Sequence, residues 1–97
     1  MELFIFARFH AKEGQEAAVE AALRQVTSIT REIEPGCLAI APYRSVRDDR
    51  LFFIHSRWSD EAAFDRHAGL PHTLRFLERI QTLIDHPLDV NRAVLVY

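Results

Sequence analysis

Two segments of this chain, Leu3-Phe4-Ile5-Phe6-Ala7-Arg8-Phe9 and Leu51-Phe52-Phe53-Ile54, are apolar at odd and even positions alike. A strand sends successive side chains to opposite faces of its sheet, so each segment puts apolar surface on both faces. Helices of the same chain must cover one face, and something else must cover the other. With 97 residues there is room for one domain of two layers, with helices enough for only one side of a sheet.

Between the two segments the period changes. From Gln15 to Glu34, Val19, Leu23, Val26, Thr30 and Ile33 recur at helical spacing, widened by Ala18, Ala22 and Ile29. Pro35-Gly36 ends this helix, with Gly36 taking up the turn. Cys37 to Val46 reads as a second strand, and Pro42 within it predicts a sheet edge or a bulge. Arg47-Asp48-Asp49-Arg50 is a polar turn, and Leu51 to Trp58 is the third, central strand. A helix follows with Ser59 as its N-cap, Gly69-Leu70-Pro71 interrupts it, and a longer helix runs from about His72 to Ile84. Val90 to Tyr97 closes as a fourth strand. The order β-α-β-β-α-β predicts an α+β, ferredoxin-like antiparallel sheet with both helical segments on one face. A bare apolar sheet face is a patch that monomers avoid, so a second copy of the chain is the simplest cover and a homodimer is expected.

The formal net charge is −2, with arginines and acids interleaved and no basic stripe, which sets nucleic acid aside as a partner. No apolar run reaches the roughly 20 residues of a membrane span, and no cationic segment precedes the apolar N-terminal run. Cys37 is the only cysteine, as suits a reducing, cytoplasmic setting, and it reads as a small packed hydrophobe.

Five histidines are the first candidates for chemistry, because imidazole exchanges protons near neutral pH. His67 and His72 flank the Gly-Leu-Pro break, where side chains can be aimed into a pocket mouth. His10 and His86 sit at element ends and read as solvated. His55, in mid-strand, reads equally well as a hydrogen-bonded structural residue. No metal site is expected: His67 and His72 are five apart across Pro71, and Cys37 has no partner at CxxC spacing. By alternation Phe52, Ile54, Ser56 and Trp58 share one sheet face, which makes an aromatic wall with one hydroxyl suited to an apolar ring. Trp58 reads equally as a core or dimer-face aromatic.

Glu34-Pro-Gly-Cys-Leu38, Tyr43-Arg44, Arg57-Trp58-Ser-Asp-Glu-Ala-Ala63, His67 and Leu70-Pro-His72 occur in an order and spacing that resembles the antibiotic biosynthesis monooxygenase family, which includes quinol monooxygenase-like proteins. The resemblance covers nearly all of residues 1–97 and implies a single domain that pairs as a dimeric α/β barrel, its two sheets face to face. It also implies oxidation of phenolic or quinol-type substrates by molecular oxygen with no metal, flavin or other cofactor. The deprotonated aromatic ring itself then reduces oxygen, and the protein supplies a cavity, a proton acceptor and a donor near the developing charge. On this resemblance His67 is the proton acceptor and Trp58 its stacking and hydrogen-bonding partner, with His72 at the rim. Phe52, Ile54, Ser56 and Phe64 are the remaining substrate-contact candidates. Relatives commonly carry Glu where Ser56 stands, and haem-degrading relatives carry Asn near the position of Ala7. Two other functions fit the same scaffold: an isomerase or decarboxylase using His67 for proton transfer, and a non-catalytic dimeric protein that binds small molecules in a stress response.

Overall fold

The computed structural model describes residues 1–97. The elements are β1 (Leu3–His10), α1 (Glu16–Ile33), β2 (Cys37–Arg44), β3 (Leu51–Trp58), α2 (Glu61–Ala68), α3 (Pro71–Gln81) and β4 (Asp89–Ala93). The sheet is antiparallel with strand order β2-β3-β1-β4, and the architecture is the ferredoxin-like α+β fold. β3 lies between β1 and β2, as its two-sided apolar start requires. Pro42 does lie on an edge strand, and β2 also carries an irregularity between Cys37 and Ala39.

Burial alternates along the two central strands. Leu3, Ile5, Ala7 and Phe9 of β1 and Phe52, Ile54, Ser56 and Trp58 of β3 are buried on the helix side. Register places Ile5 opposite Ser56 and Ala7 opposite Ile54. Ala7 presents only a methyl group, so the sheet is shallow at this point. The buried apolar side chains form two clusters. A cluster of 12 residues includes Phe9, Leu23 and Ile80, and a cluster of four comprises Leu3, Ile5, Trp58 and Ala63.

Local details depart from the sequence reading for identifiable reasons. Ser59 does not cap α2, because its N–H is still paired with the Gly36 carbonyl at 2.9 Å. Asp60 is the cap, and its Oδ1 accepts from Ala63 N–H at 2.8 Å. Gly36 does lie in the turn after α1, without the left-handed φ that Gly14 alone among the glycines has, at 85°. A Cβ on Gly36 would lie 2.7 Å from the Ala63 Cβ, so glycine there lets α2 seat against the start of β2. Val46 falls outside β2, where the Ser45 Oγ accepts from the N–H groups of Arg47 and Asp48 and turns the chain. α3 stops at Gln81 rather than Ile84, because the backbone of Leu83 to Asp85 bonds to the end of β1 and the residues after it. β4 ends at Ala93, opposite Phe4, since β1 has almost no chain left to pair with the residues beyond. Ile33 is 58% exposed, and Glu34, at 8%, takes the inward place on the helical stripe four residues after Thr30.

Candidate active site

A cavity of about 220 Å³ lies between the sheet and the helices, lined from both core clusters. Ile5, Ala7 and Ile54 form its floor, and Val26, Phe64, Phe76 and Leu77 come from the helices. Leu88 and Val90 close the β4 side. Its only polar lining residues are Thr30, Ser56, His67 and Thr73. The chamber is therefore apolar with a few hydrogen-bonding groups, the usual character of a small-molecule site.

The chemistry centres on Glu34, to which the sequence assigns no role beyond heading the Glu34-Pro-Gly-Cys-Leu38 segment. Glu34, just beyond the last turn of α1, is buried, and its Oε2 receives two hydrogen bonds. His67 Nδ1–H and His72 Nε2–H each donate to that oxygen at 2.7 Å. The Thr73 Oγ1 lies 3.3 Å from the same His67 nitrogen, and the Thr30 Oγ1 3.3 Å from the same His72 nitrogen. An ionised carboxylate only accepts, so the network assigns a proton to the facing nitrogen of each ring. His67 Nε2 is then left as a lone pair on a ring that lines the cavity. The carboxylate orients this imidazole and stabilises the imidazolium that forms when Nε2 takes a proton.

Trp58 is 1% exposed and does not line the cavity. Its single N–H donates to the Ser56 Oγ at 2.9 Å, so it is already engaged within its own strand. The indole instead backs His67, with ring centroids 4.8 Å apart, and meets Phe64 edge-on at 5.5 Å. Ser56 accepts the indole N–H, which leaves its own O–H to donate towards the cavity that it lines. Arg92 of β4 crosses to α2, donating to Glu61 and Asp65 at 2.8 Å each, and its guanidinium lies 4.9 Å from the Phe64 ring centre. Asp65, then Glu61, holds the Arg92 pKa above its ordinary value.

The structure brings Ile54, Ser56, Phe64 and His67 to the cavity wall and Trp58 directly behind them. Phe52 packs in the larger core cluster, away from this cavity. His72 is not at a rim: it is buried, turned inward by its bond to Glu34, and it lines a separate groove between α1 and α3. His10 is likewise not simply solvated. Its Nδ1–H donates to Asp85 at 2.6 Å, and its ring meets that of the exposed His86 edge-on. Burial, then the Glu34 charge, pushes the Cys37 thiol up from its ordinary value, which makes it a poor nucleophile.

Two groups of three side chains have donor atoms close enough for a metal: His10, Asp85 and His86 on the surface, and Glu34, His67 and His72 inside. Two imidazoles and a carboxylate are a donor set that divalent transition metals accept. In the inner group both nitrogens instead meet the carboxylate at hydrogen-bond length.

The ferredoxin-like fold and the apolar cavity between its sheet and helices define an α+β scaffold with room for a small molecule. The antibiotic biosynthesis monooxygenase family matches residues 3–79, and the chain belongs to that family. Rv0793 from Mycobacterium tuberculosis is 29% identical over 87 residues, covering 90% of this chain and 84% of that protein. Its structure superimposes with a TM-score of 0.92 at 25% identity, over 100% of this chain and 97% of that one. PA3566 from Pseudomonas aeruginosa gives a TM-score of 0.89 at 28% identity, over 99% and 95% of the two chains. A crystal structure described as an antibiotic biosynthesis monooxygenase gives 0.90 at 26%, over 98% and 99%.

Proposed function

We propose that the protein oxidises a small phenol or quinol with molecular oxygen, using no prosthetic group, in the cavity beside His67. The observation that carries this reading is the 2.7 Å bond from His67 Nδ1 to the buried Glu34 carboxylate at the wall of an apolar chamber. His67 Nε2 takes the hydroxyl proton of the bound ring. The resulting anion is electron-rich and reduces oxygen itself, while the Ser56 hydroxyl donates to the developing charge. For a quinol, one oxygen atom enters the ring and the other leaves as water, with all the electrons coming from the ring.

Cavity size limits the substrate. An engineered apolar cavity of about 150 Å³ holds benzene, so one of about 220 Å³ suits a ring pair more than a tetracycle. A dihydroxynaphthalene is the matching probe. The reading includes a homodimer closed over the outer sheet face, where Phe6 and Tyr43 are half exposed.

The test is oxygen uptake with a dihydroxynaphthalene under air. Wild type consumes oxygen, and His67→Ala loses about 10²- to 10⁴-fold in kcat/KM, the usual worth of a general base. Proton exchange into a carbonyl substrate without oxygen uptake would instead indicate an isomerase or decarboxylase. Inactivity in both assays, with ligand still bound, would indicate a binding protein.

A further inference from the structure

His72 has no place in the cavity, yet it holds the same oxygen that orients the proton acceptor. Its Nε2 and the His67 Nδ1 both lie 2.7 Å from Glu34 Oε2. An anion that accepts two charge-assisted bonds on one oxygen divides its attraction between them. We infer that His72 is a positioning residue that sets the base strength of His67, by competing with it for the Glu34 carboxylate. The inference deepens the proton-acceptor role proposed above and rests on it.

The surroundings leave few other ways to modulate the pair. Glu34 from the end of α1 and His67 from α2 are the titratable groups in contact with His72. On the outer side His72 lines the α1–α3 groove, where Arg75 and Arg79 are the only charged neighbours, and Arg79 donates to Gln25 at 3.2 Å. No second carboxylate lines that groove, so Glu34 is the anion available to His72. Removing the His72 donor gives the whole carboxylate charge to His67. The imidazolium is then held more tightly, and the ring keeps its proton to higher pH.

Nitrogen-15 NMR of the histidine rings tests this without any turnover. In wild type, His72 is expected as the Nε2–H tautomer and His67 as the Nδ1–H tautomer. A His72 ring with its lone pair on Nε2 overturns the inference, with no variant needed. In His72→Leu the His67 titration midpoint moves to higher pH, and the acid limb of kcat/KM moves with it. His72→Gln keeps an N–H donor for Glu34 and restores the wild-type midpoint. An unmoved midpoint in His72→Leu, or an equal shift in both variants, overturns the inference. If the tautomers are as stated but no quinol consumes oxygen, the oxidation reading fails and the coupling of the rings stands.

Discussion

Glu34 bears two imidazoles on one oxygen and is almost shut off from water, so it organises more of the site than its single charge indicates. Glu34→Ala strands the facing N–H groups of His67 and His72 in the interior, and leaving buried donors unpaired costs about 1–3 kcal/mol each. The variant is expected to lose several degrees of thermal stability, as well as the orientation of His67. Differential scanning calorimetry checks the first and activity the second. At this scale the sequence was partly legible. His67, Ser56, Ile54 and Phe64 could be placed near a pocket because strand alternation and the Gly-Leu-Pro break are local signals. Glu34 escapes such signals, because Ile33 continues the apolar stripe and reads as the inward residue at the end of α1. An acid four residues after Thr30, on a stripe of otherwise buried positions, was the signal available. The resemblance makes Trp58 a hydrogen-bonding partner in the site, yet alternation already sets Ser56 two residues away on the same face, where its Oγ takes the indole N–H.

Between elements, the connection from α3 to β4 is pinned to the end of β1. Asp85 accepts from His10 Nδ1–H at 2.6 Å and from His86 Nδ1–H at 2.7 Å, and its backbone N–H bonds the His10 carbonyl at 3.0 Å. These bonds, that from His10 foremost, hold the Asp85 carboxyl down at about 2 against an ordinary 3.8. A carboxyl whose pKa is lowered by folding stabilises the folded state fully above its unfolded value. That stabilisation disappears as pH falls from about 4 through about 2. Urea midpoints measured across that range should fall for wild type and fall less for Asp85→Asn, which is expected to start lower at neutral pH. Leu88, which closes the β4 side of the cavity, follows this pinned segment, so the latch also bears on the chamber wall. Little in the local pattern signals the latch. Leu83 and Ile84 continue the apolar helical stripe, and only the tertiary bonds from residues 10–12 draw them out of the helix. The same limit applies to β4, whose apolar end at Val94-Leu95-Val96 reads as strand but has outrun its partner.

At the scale of the molecule, the sheet keeps one face for the helices and cavity. The other face carries Phe4, Phe6, Leu51, Phe53 and Tyr43, with Arg8, His55 and Arg57 among them. Phe6 is 50% exposed and stacks on His55 with ring centres 4.9 Å apart. The βαββαβ order and the two-sided apolar strands were legible from periodicity alone, since each element is long enough to show its period. Under the proposed dimer this face is buried, and stable pairs of this type remove about 1,600 Å² in total from water. Sedimentation velocity at micromolar concentration should find wild type as a dimer and Phe6→Glu as a monomer, because a charge placed at the centre of that face must otherwise be desolvated. Proton transfer from a ring in the cavity to the carboxylate-held imidazole can be tested before oxygen enters. Absorption spectra of a bound dihydroxynaphthalene under strictly anaerobic conditions report its ionisation directly. Wild type is expected to give the anion spectrum and His67→Ala the neutral spectrum. A neutral ligand in wild type, or an anion formed equally well without His67, would contradict that transfer.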